Sequence, residues 1–364
     1  MGVYLFLIVS SLYLYILKST NLGKKFERIS AFIIFLELYI ISAIRVHVGT
    51  DYGVYLDFYK KIDKLTYDPK GMEFGYFYLN KFVKSIFGGE YAIFAVTSLI
   101  IIGLVYYTVK NFSVDPILSL IIYICMFYLS SLNIIRQSIT ISIVFFSIRY
   151  IDSKVKWLIP LLIGALFHKT IILVIPFFFL AKLNLKKKHY IFIGIIGIGL
   201  FLTYGRTLVF ITSFIEGFDH YVGSNFVNQG ANPIRTLITF TIFIFFLMDY
   251  KEIMKNKKMK FAFTMFLFGI IFSLFMLKGK IFARVVDYFD IFQILLIPYV
   301  INSIKKLNIF GLKKYILLIT TVILAANFYY FYYSVKTNQS NVIPYKTYIT
   351  DTYIQKHFRF WIYR

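Results

Sequence analysis

YAIFAVTSLIIIGLVYYTV, residues 91–109, is the stretch that decides the fold class, because it is long, apolar and free of charged side chains. A helix that crosses a bilayer needs about 20 mostly apolar residues. Comparable apolar runs stand at 116–132, 234–248 and 261–277. The chain of 364 residues is 59% hydrophobic and 16% charged, whereas about a quarter of the residues of soluble domains are charged. These features predict an all-α integral membrane protein.

Basic residues mark the loops between the predicted spans, and such clusters collect on the cytoplasmic side of membrane proteins. The formal net charge of +23 therefore indicates a lipid bilayer as partner and not nucleic acid. The clusters are residues 18–28, 154–156, 182–188, 251–260 and 305–314. With all of them in the cytoplasm, residues 1–364 form a single polytopic domain in a bacterial inner membrane, with about 10 to 12 transmembrane helices. The predicted spans are 2–17, 29–46, 91–109, 116–132, 134–151, 189–204, 234–250, 261–277, 281–303 and 315–333.

The segment 157–181 does not fit this alternation, because basic loops flank it on both sides. The chain would have to cross the membrane twice, and two crossings need about 40 residues. A re-entrant hairpin with its tip near His168 resolves the conflict, since irregular backbone at membrane depth is tolerated where protein or a wet cavity surrounds it. A single tilted span is the alternative.

Three segments are predicted to face outward: 47–90, 205–233 and 334–364. The cytoplasmic loops are short, and no phosphate-binding glycine motif follows a strand. We therefore expect the chemistry on the outer face, without a nucleotide. Cys125 is the single cysteine, so a disulfide framework cannot form. No diagnostic metal-ligand spacing is present, and we expect neither metal nor cofactor.

Arg45, Arg136 and Arg284 map to the outer ends of three predicted spans. Ionisable residues inside spans are costly and mark functional sites by default, and arginine binds phosphate oxygens through two parallel hydrogen bonds. Three guanidinium groups at one depth suit an anionic lipid head group such as a diphosphate. Structural alternatives stay open: Arg284 could pair with Asp287 on one helix face, Arg45 could be an interfacial residue, and His168 could be a satisfied buried histidine.

A series of short motifs resembles the EpsG family of exopolysaccharide biosynthesis proteins, in order and over nearly the whole chain. Each motif alone is weak, and their order and spacing carry the resemblance. The matching segments are Arg45 to Tyr55 with its Gly49-Thr50-Asp51-Tyr52 core, Glu73 to Asn80, Ile135-Arg136-Gln137, Phe167 to Pro176, Ala283 to Phe289, and Ile343-Pro344-Tyr345.

The resemblance implies a membrane glycosyltransferase with a GT-C-like fold, similar to the Wzy class of O-antigen, capsule and exopolysaccharide polymerases. Its partners would be undecaprenyl-diphosphate-linked oligosaccharides and a chain-length regulator, with the active site toward the periplasm. His168 is then the first candidate for a catalytic base or a phosphate ligand, with Asp51 and Glu73 as rival bases. The expected diphosphate ligands are Arg45, Arg136 and Arg284, and the expected supporting residues are Tyr52, Gln137, Asp287 and Tyr288.

Three other functions compete with a polymerase. A flippase for lipid-linked oligosaccharides would show internal repeats and small outer loops, in contrast to 47–90 and 205–233. A membrane O-acyltransferase that modifies surface polysaccharide would also have an in-membrane histidine, but it leaves the outer arginines without a role. A non-catalytic assembly partner would be expected to carry fewer buried cations.

Overall fold

Helices form nearly all of the regular structure, which confirms the all-α fold class. The chain folds into two compact units, Met1–Ile171 with Asn327–Arg364, and Ile172–Ala326. A single polytopic domain stays a prediction, and the predicted outer segments 205–233 and 334–364 lie largely outside the described residues. The computed structural model describes residues 1–18, 23–68, 71–207, 229–231, 233–306, 312–338 and 340–349.

The first unit is built of apolar helices that pack against one another. α2 packs on α1, α5 and α6, while α5 packs on α8, and α8 on α9. Asp115 caps α6 by accepting a hydrogen bond from the backbone N–H of Leu118, with Pro116 in the first turn, a favoured helix start. The helices are α1 (Gly2–Leu17), α2 (Gly23–Ala43), α3 (Tyr52–Lys61), α4 (Phe74–Phe87), α5 (Ala92–Phe112), α6 (Pro116–Tyr123), α7 (Leu129–Ser131), α8 (Ile135–Phe146) and α9 (Leu158–Ala165).

Polar contacts gather at two opposite ends of the first unit. At the basic end, Lys18 after α1 forms ion pairs with Glu27 and with Asp115, at 2.7 and 2.9 Å. At the opposite end, Thr50 contacts Asn133, which follows α7. A short antiparallel ladder also lies at this second end, where β1 (Arg45–Val46) pairs with β2 (Lys346–Thr347). No part of the sequence predicted this ladder.

The second unit is organised around α14 (Lys257–Met276), which is buried along most of its length. Asn256 caps this helix by accepting from the backbone N–H groups of Lys258 and Met259. Among the described residues, α14 packs against six other helices of the unit. Those are α10 (Ile175–Lys182), α11 (Lys187–Leu202), α12 (Pro233–Met248), α13 (Tyr250–Lys255), α15 (Phe282–Asp290) and α16 (Gln293–Lys306).

Two basic segments of the second unit, 182–188 and 251–260, lie at the same end of the described helices. The Lys260 side chain donates to the side-chain oxygen of Asn184 at 2.5 Å. The rings of Tyr190 and Tyr250 are in edge contact, with their centroids 6.3 Å apart. Because the starts of α11 and α14 therefore lie together, these two helices run parallel, and α12 approaches the same end with its last turn.

Three described helices are long and apolar enough to cross a bilayer: Ala92–Phe112, Lys257–Met276 and Leu318–Thr337, the last within α17 (Leu312–Thr337). The expected span 281–303 corresponds to α15 and α16, between which the chain bends by 42°. Counted together, this bent pair is a fourth candidate span. The predicted total of 10 to 12 spans stays a prediction, since other apolar helices, such as α1, are shorter.

The segment 157–181 is interrupted at the place where the sequence predicts a tip. α9 ends at Ala165, a 3₁₀ turn covers Lys169–Leu173, and α10 begins at Ile175. A helix of eight residues is about 12 Å long, far less than the hydrocarbon thickness of about 30 Å. Neither α9 nor α10 can therefore span a bilayer alone. The path of the segment through the membrane stays a prediction.

Candidate functional site

A buried carboxylate lies at the centre of the candidate site in the first unit. Glu73 immediately precedes α4, is 8% exposed, and has one partner on each oxygen. The Arg136 guanidinium donates from Nη1 to Oε2, and Nδ1 of His168 lies 3.1 Å from Oε1. Three residues that the sequence suggested on separate grounds therefore form one group, which we call the Glu73–Arg136–His168 cluster.

The backbone of α4 meets the end of α9 directly. The N–H of Gly75 donates to the carbonyl oxygen of Leu166 at 2.7 Å. A Cβ atom at position 75 would lie 2.8 Å from the same oxygen, so the approach requires glycine. This contact holds Glu73 against the chain just before His168.

α8 and α9 are joined by an equally close contact. Oγ1 of Thr140 lies 3.1 Å from the carbonyl oxygens of both Arg136 and Gly164. A Cβ atom at position 164 would come within 2.8 Å of the Ile171 side chain. The N–H of His168 donates back to the Gly164 carbonyl at 3.1 Å. The packing of these two helices thus brings the guanidinium and the imidazole to the same carboxylate.

The surroundings of Glu73 keep its carboxylate ionised. Burial raises the pKa of this carboxyl, but the hydrogen bond from His168 and the charge of Arg136 outweigh burial and lower the pKa to about 2. An ionised carboxylate only accepts hydrogen bonds, so Nδ1 of His168 carries the proton of this contact. Nε2 is buried and has no hydrogen-bond partner among the described residues. In the neutral ring, Nε2 is the basic nitrogen.

Tyr55, the last residue of the Arg45–Tyr55 motif, is a further member of the site that was not predicted from the sequence. It lies on α3, is 4% exposed, and forms a side-chain hydrogen bond with Arg136. Asp51, one turn earlier on the chain, acts electrostatically on Tyr55. The end of the Gly-Thr-Asp-Tyr motif therefore reaches the cluster through a tyrosine, and the role of Asp51 as a base stays a prediction.

The Gly-Thr-Asp-Tyr motif is held in place by one asparagine. Oδ1 of Asn133 accepts from Oγ1 of Thr50 at 2.8 Å and from the backbone N–H of Asp51 at 2.9 Å. Gly49 has a φ of 108°, and a Cβ there would lie 2.9 Å from the carbonyl oxygen of Leu132. The motif thus fixes the start of α3 on the turn that leads into α8.

Arg45 lies in the interior, with a residue exposure of 1%. Its Nη1 donates to the carbonyl oxygen of Ser42 and, at 3.2 Å, to Oγ of Ser98, while Nη2 donates to the carbonyl oxygen of Leu132 at 3.3 Å. The guanidinium also stands 5.1 Å from the ring centroid of Phe94. These contacts join α2, α5 and the turn after α7. Binding of a diphosphate by Arg45 stays a prediction.

The predicted supporting residues are buried side chains. Tyr52 is 1% exposed and stacks on Phe94, with ring centroids 4.2 Å apart. Gln137 follows Arg136 and is 3% exposed, and Tyr288 in the second unit is 0% exposed. The supporting roles of these three residues stay predictions.

The second unit has its own charged cluster, which contains a residue that the sequence analysis missed. Nη2 of Arg235 on α12 donates to Asp287 at 2.6 Å and to Asp290 at 3.3 Å. Asp287 therefore pairs with Arg235, and its pairing with Arg284, which the sequence left open, stays a prediction. Arg235 could have been found, since it is a cation inside the apolar run 234–248. Arg284 and Arg136 belong to different units, so convergence of the predicted arginines stays a prediction.

Among the described residues, no group of three or more His, Cys, Asp or Glu side chains could hold a metal ion. The fold and the site define a multi-pass membrane protein with a buried carboxylate–histidine–arginine cluster. The family model of the EpsG family matches residues 28–347. The chain belongs to the EpsG family. No curated protein and no solved structure shows significant similarity to it.

Proposed function

We propose that this chain is a polysaccharide polymerase of the Wzy type, a membrane glycosyltransferase that uses undecaprenyl-diphosphate-linked oligosaccharides at the outer face of the inner membrane. Membership of the EpsG family supports a polymerase in polysaccharide biosynthesis. The observation that carries the proposal is the Glu73–Arg136–His168 cluster, which combines a basic nitrogen with a fixed cation.

The reaction joins two lipid-linked glycans. A hydroxyl oxygen of the acceptor repeat attacks the anomeric carbon of the donor glycan, and the bond from that carbon to the diphosphate oxygen breaks. The hydroxyl proton passes to Nε2 of His168, and undecaprenyl diphosphate leaves with the bonding electrons. A base near the acceptor and a cation near the leaving group are the two requirements of such a transfer.

Each member of the cluster has a separate role in this scheme. His168 accepts the proton, and Glu73 orients the imidazole through Nδ1 and stabilises the imidazolium that forms. The pKa of Glu73, near 2, is too low for a base at neutral pH, so Glu73 positions other groups. Arg136 keeps one donor for the departing diphosphate, since its Nε has no hydrogen-bond partner among the described residues.

The charges of the cluster suit the leaving group. With a neutral imidazole, the Glu73 carboxylate balances the Arg136 guanidinium. When His168 takes the proton, the cluster gains one positive charge at the moment when negative charge develops on the diphosphate. Coupling of these two events lowers the cost of separating charge in a buried site.

The glycan ladder of a deletion strain tests the proposal. Complementation with wild type should restore long chains, whereas Arg136→Ala or His168→Ala should leave single repeats on the lipid. Arg136→Lys should also shorten the chains, because an ammonium group cannot make two parallel hydrogen bonds to a phosphate. Long polymer from both alanine variants would remove the roles assigned to the cluster.

Matched control variants separate these roles from general loss of charge. Arg149→Ala removes an arginine from the end of the predicted span 134–151 that is opposite to Arg136. There the Arg149 guanidinium stands 5.3 Å from the ring centroid of Tyr107. His189→Ala removes a histidine at the start of α11. Both should leave the ladder intact. Loss of every repeat from the outer face would favour a flippase, and loss of acyl groups alone would favour an O-acyltransferase.

A further inference from the structure

A deep apolar groove of about 590 Å³ lies in the second unit, between α11, α12 and α14. This volume falls within the range of about 300 to 1,000 Å³ that ligand sites occupy. The lining is hydrophobic except at one end, where a lysine and two tyrosines gather. The lining residues include Lys187, Tyr190, Gly194, Ile198, Tyr250 and Leu274.

The groove has a defined polarity along the helices. At one end, Oη of Tyr190 shares a hydrogen bond of 3.0 Å with Oγ1 of Thr264, and Lys187 lies one turn before Tyr190 on α11. At the other end, only apolar side chains such as Ile198 and Leu274 line the groove. A ligand that fits must therefore have one polar end and a long apolar body.

The length of the groove matches one leaflet of a bilayer. From Lys187 to Ile198, α11 rises by about 16 Å, and half of the hydrocarbon thickness is about 15 Å. The polar end is the basic end of the unit, which holds residues 186–188 and 251–260 and which the positive-inside rule places in the cytoplasm. The groove therefore covers the depth of the cytoplasmic leaflet.

We infer that this groove binds one acyl chain of an anionic phospholipid from the cytoplasmic leaflet, with the phosphate near Lys187. Charge complementarity selects this occupant, because lysine clusters at the membrane surface attract anionic lipids. The polyprenyl tail of a substrate is a poorer fit, since its diphosphate would lie at the outer face while the polar end of the groove faces the cytoplasm. The choice of a phospholipid over a polyprenyl tail rests on the proposed function, whereas the groove and its polar end do not.

Gly194 offers a way to fill the groove without disturbing the fold. It lines the groove, and a Cβ atom added there would meet nothing within 4 Å. Gly194→Leu should therefore occupy the space of the acyl chain. Gly199→Leu is the matched control, because Gly199 lies on the same helix, also has open space around it, and is not among the lining residues.

The experiment uses the full-length protein in nanodiscs that contain phosphatidylglycerol with a photoreactive group on one acyl chain. Light should label α11 and α14 of wild type, Gly194→Leu should reduce this labelling several-fold, and Gly199→Leu should behave as wild type. Lys187→Gln should weaken the preference for phosphatidylglycerol over phosphatidylcholine, whereas Lys278→Gln, at the opposite end of α14, should not.

Three outcomes would overturn the inference. Labelling that is equal in wild type and Gly194→Leu would place the lipid elsewhere. An equal reduction in both glycine variants would indicate a general effect on α11. Displacement of the labelled lipid by polyprenyl phosphate, but not by unlabelled phosphatidylglycerol, would assign the groove to the substrate tail.

Discussion

A double-mutant cycle measures how strongly the Glu73 and Arg136 side chains stabilise each other. Its variants are Glu73→Gln, Arg136→Gln and the double variant that carries both changes. In the folded protein the pKa of the Glu73 carboxyl is lowered from 4.5 to about 2, which corresponds to about 3 kcal/mol. Burial opposes this change, while His168 and Arg136 both contribute to it. Because two partners share the effect, we expect a coupling energy of about 1 to 2 kcal/mol for the Glu73–Arg136 pair.

The assay is equilibrium unfolding of each purified variant in mixed micelles at neutral pH, followed by circular dichroism. Each single change should destabilise the protein, because it leaves the opposite charge buried without its partner, and the double variant should lose less than the sum. The exposed pair of Lys255 and Glu252 provides a control cycle, whose coupling should be too small to measure. A Glu73–Arg136 coupling within about 0.3 kcal/mol of zero would refute the contact.

Three further predictions concern the same cluster. Since the pKa of Glu73 is lowered, its carboxylate stabilises the fold above pH 4.5 and loses this effect as the pH falls toward 2. The stabilities of wild type and Glu73→Gln should therefore differ near neutral pH and converge in acid. Gly75→Ala should abolish long chains in the glycan ladder, because its Cβ would lie 2.8 Å from the carbonyl oxygen of Leu166. The control Gly53→Ala should not, since position 53 has open space around it. Normal chains from Gly75→Ala would contradict the close packing. Tyr55→Phe removes a hydrogen bond from Arg136. This change should shorten the glycan chains several-fold without changing the amount of protein in the membrane. An unchanged ladder would leave Tyr55 with a packing role only.

Local sequence patterns predict the helices of this protein well. The apolar runs at 91–109 and 261–277 correspond to α5 and α14, because hydrophobic length is set by the bilayer and can be read directly from the chain. The interruption near His168 was predicted from charge alone, since two basic loops flank a segment too short for two crossings. The bend between α15 and α16 was not predicted, although two polar residues, Asp290 and Gln293, flank it in the sequence.

The candidate site was predicted only as separate residues. Glu73 and His168 are 95 positions apart in the chain, and their contact depends on Gly75 and Gly164, whose missing side chains let the helix backbones approach. A single sequence does not reveal which glycines are packing contacts. The same limit explains why Arg235 was missed: its partners Asp287 and Asp290 lie on another helix, so the pairing leaves no local pattern.

Reconstitution of the purified protein with a lipid-linked repeat unit tests the central claim most directly. We predict that wild type joins repeats into a ladder and releases one undecaprenyl diphosphate for each bond formed, while His168→Ala binds the substrate but releases none. Release without ladder formation, or a ladder of normal length from His168→Ala, would contradict glycan transfer by the Glu73–Arg136–His168 cluster.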